Sequence, residues 1–270
     1  MEKLKQELQN FNFKDGVLPM ISFEPSEDLE SRILFIGSEV GDLTSGTKAI
    51  MKFAYQLKAN PLKKTKIDMI PVLDTEGYPN KKTVVGDEGF GRVLHMDSAY
   101  NAKYANEQIR ELCKVLDTKY DLAVLLSSFN IEEIPLFNGY FIMPQVSTGE
   151  ERDVKRIKLF NEKLHDVMGS VLSSLSRANL PVLSPKSRYL GGGYALLRPG
   201  IVLSGVKEGE EIKEFKTREG FLSACEYRNV PAISAYATSS VIDQEINNAA
   251  ISSHLIAIQN IANFYDYKRK

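Results

Sequence analysis

Several short apolar runs in this sequence end in polar residues, and most of the side chains that could do chemistry stand at those ends. Glu39 and Asp42 follow Ile33-Leu34-Phe35-Ile36 and sit three residues apart at the entry of a helical pattern. Two carboxylates there could offer oxygens to a hard cation such as magnesium or calcium. The simpler reading is a pair of acids held by the partial positive charge of a helix N-terminus. Ser127 and Ser128 follow Leu122-Ala123-Val124-Leu125-Leu126, and Tyr236 follows Val230 to Ala235. Neither serine lies in a Gly-x-Ser-x-Gly elbow or has an evident histidine partner, so a serine nucleophile is not expected. A phenol with a pKa of about 10 cannot serve as a general base near neutrality. Tyr236 is therefore read as a packed ring whose hydroxyl could donate a hydrogen bond at a crevice rim.

The remaining candidates are fewer. Arg92, His95 and Asp97 lie within Arg92-Val93-Leu94-His95-Met96-Asp97, and His95 beside Asp97 is the one histidine worth watching. His165, between Glu162 and Asp166, reads as a solvated helix face, and His254 lies inside a terminal helical pattern. Gly191-Gly192-Gly193 is not followed by Lys-Ser/Thr, so it is no phosphate loop and is expected to be a rim loop. Gly86 to Gly91 reads as an acidic loop.

The elements that must position these residues follow from hydrophobic periodicity. Buried strands are expected at Ile33–Ile36, Ile67–Leu73, Leu122–Leu126, twice within Ala195–Leu203, and at Val230–Ala235. Helical spacing predicts helices over Thr44–Leu57, Asn101–Leu116, Glu150–Arg177 and about Ile242–Tyr265. Strands alternating with helices predict an α/β fold, with a mixed, mostly parallel sheet covered by helices on both faces. Ligands of such sheets bind beyond the carboxyl ends of the strands, here the turns after Ile36, Leu73, Leu126 and Ala235.

Bulk properties narrow the functional classes. Thirty-four basic and 35 acidic residues leave a net charge of -1, without the basic stripe of a nucleic-acid binder. No run approaches the roughly 20 apolar residues of a membrane helix, and the charged N-terminus lacks a signal-like apolar stretch. Two distant cysteines, Cys113 and Cys225, suit a reducing compartment. A cytoplasmic protein with neither nucleic-acid nor membrane partners is expected. No linker divides the 270 residues, so one domain is expected, with residues 1–30 as an N-terminal extension and a core over about 31–265.

Taken in order, the four turns resemble the zinc carboxypeptidase superfamily, including its succinylglutamate desuccinylase and aspartoacylase-like deacylases. The resemblance rests on Ile36-Gly37-Ser38-Glu39-Val40-Gly41-Asp42, on Ile70-Pro71-Val72-Leu73-Asp74-Thr75-Glu76-Gly77-Tyr78, on the strand ending in Ser127-Ser128, and on Asn229-Val230-Pro231-Ala232-Ile233-Ser234-Ala235-Tyr236 before the last helix. It implies a single three-layer carboxypeptidase-like domain. It also implies that the zinc-ligand positions fall on Glu39, Asp42 and Ser127 and the general-base position on Tyr236. The substrate-gripping Asn-Arg pair falls near Met96-Asp97, beside Arg92. All of these positions are substituted. Zinc hydrolases use imidazoles and a carboxylate to bring a bound water to a pKa of about 7, and a serine hydroxyl replaces them poorly.

The resemblance therefore implies a degenerate member with no expected metal or cofactor, in which Tyr236, Ser127 and Arg92 mark the crevice and Glu39, Asp42, Asp97, His95 and Ser128 are binding candidates. The leading expectation is a non-catalytic domain holding a peptide or protein in the crevice. One alternative is a divergent metal-dependent peptidase or deacylase, with zinc or a hard divalent cation on Glu39 and Asp42, aided by Asp97 or His95. Another is a structural subunit presenting an apolar patch between Ile201 and Phe221. Oligomeric state is left open.

Overall fold

The structure is a computed structural model that describes residues 6–11, 13–37, 44–73, 75, 107–132, 135–145, 152–153, 162–184, 189–191, 194–203, 214–215, 220–240 and 242–267. Its centre is four parallel strands: β3 (Ser31–Gly37), β4 (Thr65–Ile70), β5 (Leu122–Asn130) and β12 (Ala232–Ser239), in the spatial order β4-β3-β5-β12. Ile33, Leu34, Phe35 and Ile36 are all fully buried. A parallel strand covered on both faces needs apolar side chains in both directions, which explains the unbroken apolar run. The flanks are mixed. β2 (Met20–Phe23) pairs antiparallel with β4, and β1 (Phe13–Lys14) with β2. On the other side β6 (Phe141–Pro144) pairs antiparallel with β12, followed by β10 (Ile201–Leu203), β9 (Tyr194–Arg198) and β8 (Tyr189–Gly191). The segment set aside as an N-terminal extension thus contributes two strands to the sheet.

Alternation along the strands divides the core in two. Ile33, Phe35, Val124, Leu126, Ile233 and Ala235 face one layer. Among the described residues, α1 (Ser45–Ala59), α3 (Glu162–Arg177) and α5 (Gln244–Tyr267) cover that layer, with α5 packed against both others. Leu34, Ile36, Ala123, Leu125, Ala232 and Tyr236 face the second layer, covered by α2 (Glu107–Leu116) and α4 (Gly220–Tyr227). This is the three-layer arrangement expected from the alternating pattern.

Three boundaries differ from the sequence reading. β5 and β12 do not end at Leu126 and Ala235. They continue side by side in register from Ala232↔Ala123 to Ser239↔Asn130, because each supplies the other's backbone hydrogen bonds and the added residues include short hydroxyl side chains that tolerate burial. β4 stops at Ile70 rather than Leu73, since Pro71 has no N–H for the ladder. The helix expected from Glu150 begins, among the described residues, at Glu162. Arg152–Asp153 instead form a short strand, β7, antiparallel to β11 (Glu214–Phe215) in a separate two-stranded sheet. Gly191, read as part of a rim loop, closes β8.

Candidate functional site

The carboxyl ends of β3, β4 and β5 meet the N-terminus of α1, and the contact is close. A Cβ on Gly46 would overlap the Leu126 carbonyl, and one on Gly37 would overlap the Pro71 carbonyl. Only glycine lets the first turn of α1 rest against the backbone of β5 at this point. Thr47 Oγ1 donates to the Pro71 carbonyl at 2.7 Å, and Ser45 Oγ is hydrogen-bonded to Ser128 Oγ. The hydroxyls of the first helical turn therefore satisfy groups from two of the strand ends.

Ser127 on β5 lies directly opposite Tyr236 on β12, and alternation sends both side chains to the second layer. Ser128 points to the opposite layer, toward α1, so the two serines do not share one site. Tyr236 is only 5% exposed. Its ring stacks on Phe141 at 5.1 Å and 15°, and lies 5.0 Å from Phe129. Phe129 also stacks on Phe137 at 4.9 Å, and Phe137 meets Tyr194 edge-on at 5.6 Å. Stacked and edge-on rings at such separations are favourable beyond the area they bury. The packed-ring reading of Tyr236 agrees with this geometry.

One group at these strand ends was passed over in the sequence. His254 on α5 is fully buried, and its Nε2 lies 2.8 Å from the Ser127 carbonyl oxygen. A carbonyl only accepts, so Nε2 carries the proton and Nδ1 is bare. Burial lowers the His254 pKa to about 4, and the bond to Ser127 offsets this only in part. A lone histidine within an apolar helical stripe carries no sequence signal beyond core. His165, by contrast, is exposed on α3, as expected.

The rim beyond β12 is polar and locally satisfied. Asn247 Oδ1 accepts from Ser239 Oγ at 2.9 Å and from the Ser240 backbone at 3.2 Å. Ser240 Oγ is bonded to Glu132 and accepts from the Asp243 backbone at 2.8 Å. Asp243 caps α5, accepting from the backbone N–H groups of Glu245 at 2.8 Å and Ile246 at 3.3 Å.

Of the candidates named from the sequence, Ser127, Ser128 and Tyr236 fall in the described structure; Glu39, Asp42, Arg92, His95 and Asp97 lie outside the described residues. Among the described residues no three His, Cys, Asp or Glu side chains are grouped to hold a metal ion. Both cysteines are buried, and burial raises the Cys113 thiol pKa. No described helix is long and apolar enough to cross a membrane.

No family model matches the chain, and no curated protein matches it in sequence. Solved structures do match in fold. A metallo-carboxypeptidase from Burkholderia cenocepacia superposes with a TM-score of 0.61 at 8% identity, over 97% of this chain and 69% of that one. A succinylglutamate desuccinylase from a Silicibacter species gives 0.53 at 11% identity, over 92% of this chain and 60% of that one. The tripeptide-bound cell shape determinant Csd4 from Helicobacter pylori gives 0.56 at 16% identity, over 91% of this chain and 55% of that one. These likenesses show that the chain shares the fold of metallo-carboxypeptidase and succinylglutamate desuccinylase structures, the fold that the order of the four sequence turns implied.

Proposed function

We propose that this chain is a binding domain that keeps a carboxypeptidase-like crevice without the metal-dependent hydrolysis that the fold often carries, and that its ligand is a peptide or an extended protein segment. The observation that carries the reading is Tyr236. At the strand position implied for the general base stands a phenol whose ring stacks on Phe141 and packs at a tilt against Phe129. Such a ring cannot take up a water's proton near neutrality.

The donor chemistry points the same way. Ser127, at the position implied for an imidazole ligand, offers a neutral hydroxyl, which does not suit zinc. The backbone carbonyl of the same residue is engaged by His254. That a peptide occupies Csd4, on the same fold, is the reason for preferring a peptide as ligand.

The decisive measurement is elemental analysis of protein purified without added metal or chelator. The expected result is no stoichiometric zinc and no rise in melting temperature when zinc is added. About one zinc per chain, bound tightly enough to raise the melting temperature, overturns the proposal in favour of a hydrolase with a rearranged site.

A further inference from the structure

Among the described residues, two fully buried polar atoms with no hydrogen-bond partner lie on neighbouring rings. His254 Nδ1 and the Tyr140 hydroxyl are both unsatisfied, and the residues are 0% and 1% exposed. The rings meet at 5.5 Å and 71°. Other unsatisfied buried atoms, Thr65 Oγ1 and Ser234 Oγ, sit apart from this contact, at the start of β4 and on β12. The two atoms are complementary. Nδ1 must accept, because Nε2 carries the proton donated to Ser127. A phenol near neutrality can donate, and burial pushes the Tyr140 pKa up, so it keeps its proton. Leaving both unpaired would cost the desolvation of each with nothing in return.

We propose that an internal water molecule bridges the Tyr140 hydroxyl and His254 Nδ1. The chain of bonds would run from the Tyr140 O–H to the water, from the water to Nδ1, and from Nε2–H to the Ser127 carbonyl. Buried waters are found where two to four polar partners converge and the alternative is an unsatisfied group. Serial bonds of this kind polarise one another. The bridge makes Tyr140, just before β6, a positioning residue for the tautomer of His254, and through it for the end of β5 opposite Tyr236. It does not depend on the proposed binding function.

The test combines a crystal structure at a resolution that shows ordered water with the stability of Tyr140→Phe. Expected are one water within hydrogen-bond distance of both atoms, and a melting temperature lowered by roughly 3–6 °C in the variant. Water-to-protein cross-relaxation in solution should show a long-lived water beside His254, which decides the matter alone if the variant does not fold. A dry gap, a direct Tyr140–His254 hydrogen bond, or a Tyr140→Phe protein at least as stable as the parent overturns the proposal.

Discussion

Asp68 on β4 and Tyr236 on β12 are both buried in the same sheet, but their surroundings are built from opposite materials. Asp68 is fully buried yet surrounded by donors: Ser22 Oγ at 2.6 Å, Arg32 Nε at 2.8 Å, a second Arg32 nitrogen at 2.7 Å and the Tyr120 hydroxyl at 3.1 Å. Arg32 also lies over the Tyr120 ring at 4.9 Å. At the carboxyl ends, Tyr236 lies among phenylalanine rings. A buried carboxylate persists only where its lone pairs are met. Near the amino ends the sheet supplies those donors. At the carboxyl end the ring stack takes the space.

The sharpest way to break that contrast is Tyr236→Glu. It removes a buried ring and puts a carboxyl group against Phe129 and Phe141, so a loss of about 4–5 kcal/mol in unfolding free energy is expected by chemical denaturation, with no hydrolase activity gained. Tyr236→Phe, which keeps the stack, should cost about 1 kcal/mol. If the glutamate variant proves as stable as the parent, the apolar reading of this end fails.

Asp68→Ala tests the other region. It strands Arg32 and Tyr120 without their shared acceptor, and because Arg32 is 30% exposed and can turn to water, about 3 kcal/mol is expected. A loss below about 1 kcal/mol would mean that the network contributes little.

The third effect is pH-dependent. His254 has a folded pKa of about 4 against 6.5 when free, so between those values the unfolded chain binds a proton that the folded chain refuses. Stability contributed by this group is complete above pH 6.5 and is lost as pH falls toward 4, by at most about 3 kcal/mol. His254→Gln should flatten the stability profile in that window. An unchanged profile would show that burial of His254 does not govern it.

Much of the fold was legible beforehand, for identifiable reasons. Strands buried on both faces must be apolar throughout, so Ile33–Ile36 and Leu122–Leu126 stand out by composition alone. α1 was bounded to within two residues because its apolar stripe is regular and begins just after Thr44. Short edge and flank elements such as β2, β6 and α4 were not anticipated. Each takes its place from backbone pairing or a shared core rather than from a pattern of its own. The reach of β5 and β12 past their apolar runs was missed because serines and threonines lie within the continuation.

The site divides along the same line. Residue type alone carried the expectations for Tyr236 and Ser127, since the pKa of a phenol and the donor chemistry of a hydroxyl belong to the side chain. Three further facts came only from the tertiary structure: that Ser127 faces Tyr236 while Ser128 faces α1, that Tyr236 packs in one cluster with Phe129 and Phe141, and that His254 reaches the Ser127 carbonyl. Strand register and helix packing join residues about 100 positions apart, and no local pattern encodes those distances.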